Sequence, residues 1–441
     1  MRMISLEMGG KEKKYTDLSK AHRLLLLTLV SIGSSAIYGP IYLKIVFYEP
    51  LMQALNVTNT ELNALMSIYG LAAVFFYFFS GIIADKVRMR TLSWLGYFGV
   101  AILTFFYAML PSYNLLVVLF IGYAIFSILV WWGTRYKVVR LIYPEEEYPQ
   151  KIGLSYGIYG AVGLVLSFIQ TGVIAAFVDM ATGVTVLLIV SGVIVALCGV
   201  ATLLWMPKFE GEIKADAKNP LSLAEAKAAL KLPAVWLAAL TMFCVYSVYI
   251  SVTFTTPFMS NVLAAPVVVV SVIGIIRSFG VSIIAAPAFG WLAKVMNSPS
   301  KVICGGMVAA IVILLALMFL PHDAGLIVVV AVLVCLLSFV TNGLYGITSG
   351  QLSEAHIPPH LFGAGVGVIS IIGLCPDAFL HVWFGTIMDA QGNDAYNTIF
   401  MIMIAFAVAG IVFAALTLKV GKKNLAKQEA EKKASGAADV R

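Results

Sequence analysis

Apolar residues in this chain come in long blocks rather than in alternation, and the blocks are about 20 residues or more, the length a helix needs to cross a hydrocarbon core. Charged residues or Pro/Gly clusters separate them. Twelve such blocks can be read: 24–48, 62–84, 92–111, 114–140, 151–177 and 184–206, then 235–258, 267–289, 301–320, 326–350, 363–388 and 398–420. The longest polar stretch inside the chain, "PKFEGEIKADAKNPLSLAEAKAALKLP", falls between the sixth and seventh. Its "SLAEAKAALK" has the spacing of a short amphipathic surface helix. The pattern predicts an all-α membrane protein of twelve transmembrane helices. The parts are a tail over 1–23, a six-helix bundle over 24–206, a linker over 207–234, a second six-helix bundle over 235–420 and a tail over 421–441.

Composition agrees: 61% of the 441 residues are apolar and 12% charged, where a soluble domain carries about 25% charged residues. The placement of charge orients the chain. With the N-terminus inside, 27 of the 29 Lys and Arg residues fall at cytoplasmic ends and none in the external loops, so both termini are expected to be cytoplasmic. The net charge of +7 then reflects topology and contact with anionic lipid at the plasma (inner) membrane, and nucleic acid is not an expected partner. The N-terminal stretch is polar and basic and does not read as a cleavable targeting segment. The five cysteines stand singly in apolar runs, without CxxC or Cys/His spacing, so neither a metal site nor a cofactor is expected. No GxxxxGK[ST] motif suggests ATP drive, and no nucleophile and base pair suggests an enzyme.

The chain also repeats itself. Shifted by 210 residues, "IGLSYGIYGAVGLVLSFIQTGVIAAFVD" (152–179) meets "FGAGVGVISIIGLCPDAFLHVWFGTIMD" (362–389), aligning Gly153 with Gly363, Gly163 with Gly373 and Asp179 with Asp389. Gly133 meets Gly343, and at an offset of 209 Gly81 meets Gly290. The offset equals six spans, so the two bundles are expected to be pseudo-symmetric, with a site between them near midplane.

The loop after the second block reads "GIIADKVRMR" (81–90). Through Gly81, Asp85, Lys86 and Arg90 it resembles the Gly-x-x-x-Asp-Arg/Lys signature of the major facilitator superfamily, with Val87 where glycine is usual. The repeat copy "GWLAKVMNSPSK" keeps Gly290 and Lys294 and lacks the acid. The resemblance spans nearly the whole chain. It implies a monomeric transporter working by alternating access, with these four residues as a conformational gate. Gly81 would allow close helix approach, and Asp85 would hold the N–H groups that open the eleventh helix at "GAGVG".

Apart from basic residues at the cytoplasmic ends of the blocks, three formal charges lie inside them: Lys44, Arg277 and Asp377. A charge at the centre of a membrane helix costs on the order of 2.5–3.5 kcal/mol and persists where it is paired, hydrated or used. Arg277, in "VIGIIRSFG", is either an anion-binding guanidinium or the ion-pair partner of Asp377. Asp377, with His381 one turn on in "GLCPDAFLHVWFG", is a candidate proton-coupling pair. Lys44 either snorkels to the outer interface or supplies a second positive group at the cavity mouth. Arg135, Lys137 and Arg140 in "WWGTRYKVVR" are expected to anchor the cytoplasmic end, Arg135 being the one placed to reach a cavity. Tyr38, Tyr42, Trp131, Tyr156, Tyr246, Tyr345 and Asn342 lie in helices that the resemblance assigns to the cavity wall, where they would bind substrate.

The leading expectation is a secondary active transporter of a small organic anion, coupled to protons or to an exchanged anion and similar to the organic-anion and sugar-phosphate carriers of that superfamily. A proton-coupled carrier of a neutral or zwitterionic solute is the alternative, with Arg277 and Asp377 as a coupling pair. A transporter-like sensor stands behind both, since linker and tail are small.

Overall fold

In a computed structural model of the chain, residues 12–144, 146–213, 227–321, 323–358 and 361–438 are described. Their regular structure is helical, apart from one isolated bridge between Lys13 and Phe209. Residues 222–226 of the expected amphipathic linker helix lie outside the described residues. The chain forms two compact units: Met1–Lys218 with Pro266–Ile275, and Asn219–Ala265 with Ile276–Arg441. Among the described residues ten helices are long and apolar enough to cross a membrane, or eleven when Asn59–Tyr77 and Phe79–Lys86, bent by 52°, count as one span. One of the ten is a 62-residue stretch, Gly365–Ala426. Large apolar side chains such as Leu71, Phe75, Val118, Ile284 and Val328 face outward, as lipid-facing positions do.

The first unit holds α1 (Lys20–Tyr38), α2 (Tyr48–Leu55), α3 (Asn59–Lys86), α4 (Met89–Ala108), α5 (Tyr113–Ile142), α6 (Tyr148–Ala175) and α7 (Met180–Trp205). The second holds α8 (Pro233–Asn261), α9 (Val267–Val295, from Ile276 onward), α10 (Pro299–Phe319), α11 (Ile327–Thr348), α12 (Phe362–Leu374), α13 (Leu380–Gln391) and α14 (Ala395–Ala438).

Two of the expected spans are interrupted beside a proline. The block read as helical over 24–48 leaves the helix at Tyr38, because Gly39 and Pro40 follow and Pro40 has no N–H to continue the ladder. A short 3-10 turn, Leu43–Ile45, carries the chain to α2. The block read over 363–388 is interrupted at Pro376, so a 3-10 turn, Cys375–Ala378, separates α12 from α13. Two further helices widen locally into π-turns, α5 at Ile125–Trp132 and α9 at Ile276–Gly280. Such turns recur at functional sites.

The sequence repeat recurs as a repeated contact within each unit. A Cβ on Gly133 would stand 3.0 Å from the Cβ of Ala84 and 3.3 Å from the carbonyl oxygen of Ser80, so α5 crosses α3 at van der Waals limit there. A Cβ on Gly343, 210 residues on, would overlap the ring of Phe289, where α11 crosses α9. Gly81, expected to permit the close approach, has nothing within 4 Å of where its Cβ would be. The close contact of this helix pair is therefore made through Gly133.

Helix starts show a second correspondence. At α4, the Met89 N–H donates to Glu212 Oε2 at 2.9 Å; at α10, the Ser300 N–H donates to Glu354 Oε2 at 3.0 Å. Each carboxylate sits at the positive end of a helix dipole, and each comes from a different point in the chain. Glu212, 1% exposed, also receives Arg88 Nη1 at 2.9 Å, while Arg88 Nη2 donates to Glu12 Oε1 at 2.8 Å. Backbone bonds from Lys13 N to Lys208 O (2.9 Å) and from Glu210 N to Lys13 O (3.1 Å) hold the N-terminal segment alongside residues 208–210.

Two outcomes follow for the purified protein in detergent. Glu212→Ala leaves the Met89 N–H and the Arg88 guanidinium short of a buried acceptor and should cost about 1–3 kcal/mol, read as a lower Tm. Glu210→Ala removes only the exposed pair with Lys14 and should change Tm little; equal shifts for the two variants would contradict this ranking. Gly133→Val should lower Tm more than Gly81→Val, and the reverse order would show that the α3–α5 crossing is misassigned.

Candidate functional site

In the first unit, Lys44 lies in the irregular segment after α1 and is only 3% exposed, so it does not snorkel. Its Nζ donates to Asn63 Oδ1 at 2.6 Å. Asn63 Nδ2 in turn donates to the Tyr48 hydroxyl (2.6 Å) and to the Asn59 carbonyl (2.9 Å). The break at Gly39–Pro40 is what turns Lys44 inward. Near it, Tyr38 donates to the Ser127 carbonyl at 3.1 Å and Tyr69 bonds the Ser127 hydroxyl at 3.0 Å. Tyr42 packs edge-on to Tyr69 at 5.7 Å, so Tyr38 and Tyr42 do form one polar aromatic cluster, seated on the π-turn of α5.

The other expected residues of this unit separate. Trp131, 1% exposed, lies in the core with its ring 4.4 Å from that of Tyr97, which makes it a packing residue in this conformation. Tyr156 sits beneath Arg135, whose guanidinium carbon lies 4.1 Å from its ring centroid. Of the gate motif, Asp85 Oδ1 pairs with Lys137 Nζ at 2.8 Å, and the same Nζ donates to the Ala84 carbonyl at 2.5 Å. Arg90 donates to the Leu203 carbonyl at 2.5 Å, and Lys86 is exposed. Lys137, expected as a cytoplasmic anchor, is thus the partner of the motif's acid.

In the second unit, Asp377 occupies the 3-10 turn between α12 and α13. The Tyr246 hydroxyl donates to its Oδ2 at 2.6 Å, and His381 Nε2 lies 3.5 Å from its Oδ1. Tyr246 belongs to a stack with Tyr345 (5.4 Å) and Tyr249 (5.8 Å), and Tyr249 and Tyr345 are nearly parallel at 5.0 Å and 10°. Four of the expected residues, Tyr246, Tyr345, Asp377 and His381, are therefore brought together. His381 is buried, its ring 6.1 Å from that of Phe254, which in turn packs on Phe384. The carboxylate has a hydroxyl, an imidazole and partial exposure, the groups a proton relay requires.

Arg277, 5% exposed, lies in the π-turn of α9, with Nη2 3.5 Å from Thr256 Oγ1. Its carbonyl accepts the Ser338 hydroxyl at 2.9 Å. Among the described residues Asp377 is held by Tyr246 and His381, and the Arg277–Asp377 ion pair weighed from the sequence does not form. Asn342 turns to structure: its Nδ2 donates to the Ser338 carbonyl (2.9 Å) and its Oδ1 accepts Ser282 Oγ (2.9 Å), tying α9 to α11. Asn63, Thr256, Ser127 and Ser338 escaped the sequence reading because single polar residues at helical spacing carry no motif. Pro376 beside Asp377 and Pro40 before Lys44 were the usable signals.

The described residues contain no group of three or more His, Cys, Asp or Glu that could hold a metal ion.

Comparison with known proteins agrees with this architecture. The family model described as "Major Facilitator Superfamily" matches residues 24–375. The chain is 25% identical over 402 residues to the inner membrane protein YqcE of Escherichia coli K12, covering 89% of this chain and 93% of that one. It is 26% identical over 404 residues to the inner membrane protein YihN of the same organism, covering 89% and 95%. Among solved structures, the nucleoside transporter NupG (D323A mutant) superposes with a TM-score of 0.72 at 16% identity, covering 90% of this chain and 99% of that one. A bacterial homologue of the human lysosomal transporter Spinster, inward-facing and unoccupied, gives 0.71 at 15% identity, covering 92% and 98%. These structural likenesses speak to the fold. The chain belongs to the Major Facilitator Superfamily: it is a multi-pass membrane transporter and not an enzyme.

Proposed function

We propose that this transporter carries a small organic anion together with protons, by alternating access. The observation that carries the reading is the separation of Asp377 from Arg277: the acid is engaged by Tyr246 and His381, and the guanidinium lies elsewhere in the same unit beside Thr256. A carboxylate within reach of a hydroxyl and an imidazole suits proton uptake and release. A buried guanidinium not neutralised by that carboxylate suits an anionic substrate, which its planar fork binds through two parallel bonds. The neutral-solute alternative depended on an Arg277–Asp377 coupling pair and gains no support from these partners.

Around these two groups, Lys44, Tyr38, Tyr42, Tyr246 and Tyr345 are the further substrate-facing residues of the reading, with Trp131, Tyr156 and Asn342 assigned to packing or to holding other groups. The Asp85–Lys137 pair, with Gly81, Lys86 and Arg90, forms the gate at the cytoplasmic end. Twelve spans in two bundles (24–206 and 235–420), cytoplasmic termini and a monomer complete the proposal. The interruption of Gly365–Ala426 at Gly392–Asp394, where Gly392 has a φ of +57°, supports counting that stretch as more than one crossing. The names of the two Escherichia coli relatives support location in the inner membrane.

The test is uptake into proteoliposomes from a panel of radiolabelled carboxylates, sulfonates and sugar phosphates, with and without an imposed pH gradient. Arg277→Ala should raise the half-saturation concentration of the transported anion about 30-fold or more; unchanged affinity for every transported anion would sink the guanidinium's role. Asp377→Asn should still exchange labelled for unlabelled anion at equal pH while losing accumulation against a gradient. If gradient-driven accumulation survives in Asp377→Asn, the coupling acid is another residue.

A further inference from the structure

We propose that Arg135 is a second anion-holding residue, in the first unit, where it takes the oxyanion group of the solute: a carboxylate, sulfonate or phosphate. The inference rests on the anion-transport reading and adds a residue to it. Arg135 is 7% exposed, in the α5 segment that follows the π-turn. Among the described residues no acid lies within ion-pair distance of it. The nearby basic residues of α5 differ: Lys137 has Asp85 at 2.8 Å, and Arg140 lies over the Tyr148 ring at 4.8 Å. A buried guanidinium without a counter-ion is costly in a membrane interior, and such residues mark ligand paths.

The way Arg135 is held leaves it suited to a ligand. Two rings lie close to it: Tyr156 at 4.1 Å and Tyr159 at 5.1 Å from the guanidinium carbon. These rings screen the charge by cation–π attraction. On the edge, Nε and Nη2 reach one shared acceptor, Ser155 Oγ, at 3.4 and 3.3 Å. Charge-assisted bonds run about 2.7–2.9 Å, so this hydroxyl is a loose partner, and Ser31 Oγ already bonds it at 2.8 Å. One weak acceptor for five N–H donors leaves the fork open to two oxygens of an anion. Tyr156, on the open side of the guanidinium, is 48% exposed, with its hydroxyl 2.7 Å from that of Tyr136.

The repeat sharpens the assignment. Arg135 shifted by 210 residues falls on Tyr345, part of the tyrosine stack that adjoins Asp377. A residue serving shared architecture would keep its character in both halves. Here one half carries a cation and the other an aromatic ring that leads to an acid.

Trp132 packs at 5.7 Å on the ring of Tyr136, which gives a local reporter of the pocket. The experiment titrates purified full-length protein with gluconate, isethionate and glycerol 3-phosphate at constant ionic strength, following tryptophan fluorescence. Wild type should bind at least one of them saturably. Arg135→Gln should weaken that binding about 10-fold or more, and Arg135→Lys, which keeps the charge and loses the fork, by an intermediate factor. Should Arg135→Gln not fold, as judged by gel filtration, Arg135→Lys carries the test: affinity equal to wild type overturns the proposal. Undiminished affinity in Arg135→Gln overturns it as well. If Arg277→Gln loses binding while Arg135→Gln keeps it, this inference fails and the anion-transport reading stands. If wild type neither binds nor takes up any of the three, both fall.

Discussion

A charge inside a bilayer has to be given something in place of water, and the interior of this protein is arranged around that requirement. Lys44 has the amide oxygen of Asn63, Arg135 two tyrosine faces and a serine, and Asp377 a tyrosine hydroxyl and a histidine. Each solution draws on polar or titratable neighbours close to the charge. Charges held by hydroxyls, amides and rings keep the capacity to meet an ion from outside.

The same residues show why the helices are irregular where they are. Lys44 and Asp377 sit in 3-10 turns produced by Pro40 and Pro376, and Arg277 sits in a π-turn. Leaving the regular ladder frees backbone groups, which membrane helices tolerate where the segment is buried in protein. The unbroken helices α4, α7 and α10 carry no charge within their apolar length and serve as scaffold. Their polar ends are fixed by carboxylates, Glu212 at α4 and Glu354 at α10.

The helical class and the pattern of blocks were legible because hydropathy sums over 20 residues and so averages out local detail. The interior charges were legible for the same reason, as exceptions to an apolar background. The internal repeat was legible too, and Gly133 and Gly343 turn out to carry equivalent helix crossings. What hydropathy averages away is what was missed. One proline inside an apolar run ends a helix without changing the sum, so hydropathy runs unbroken through Tyr38 to Tyr48 and Leu374 to Leu380. Direction was missed as well: Trp131 and Tyr156 share one aromatic reading, yet the first is in the core on Tyr97 and the second is an exposed wall beside Arg135. Glu212 and Lys137 find their partners only through the fold.

The two units resolve the same helical frame into different chemistry. Ser167 and Thr171 stand in the first where Asp377 and His381 stand in the second, and Arg135 stands where the second has Tyr345. On this account the titratable cluster moves protons and the basic residues hold the anion. Internal pH, followed with a trapped dye while an anion is added outside proteoliposomes that start at equal pH on both sides, tests this most directly. The account predicts that addition of a transported anion acidifies the interior in wild type and fails to do so in Asp377→Asn. Anion uptake by wild type with no accompanying proton entry would contradict it.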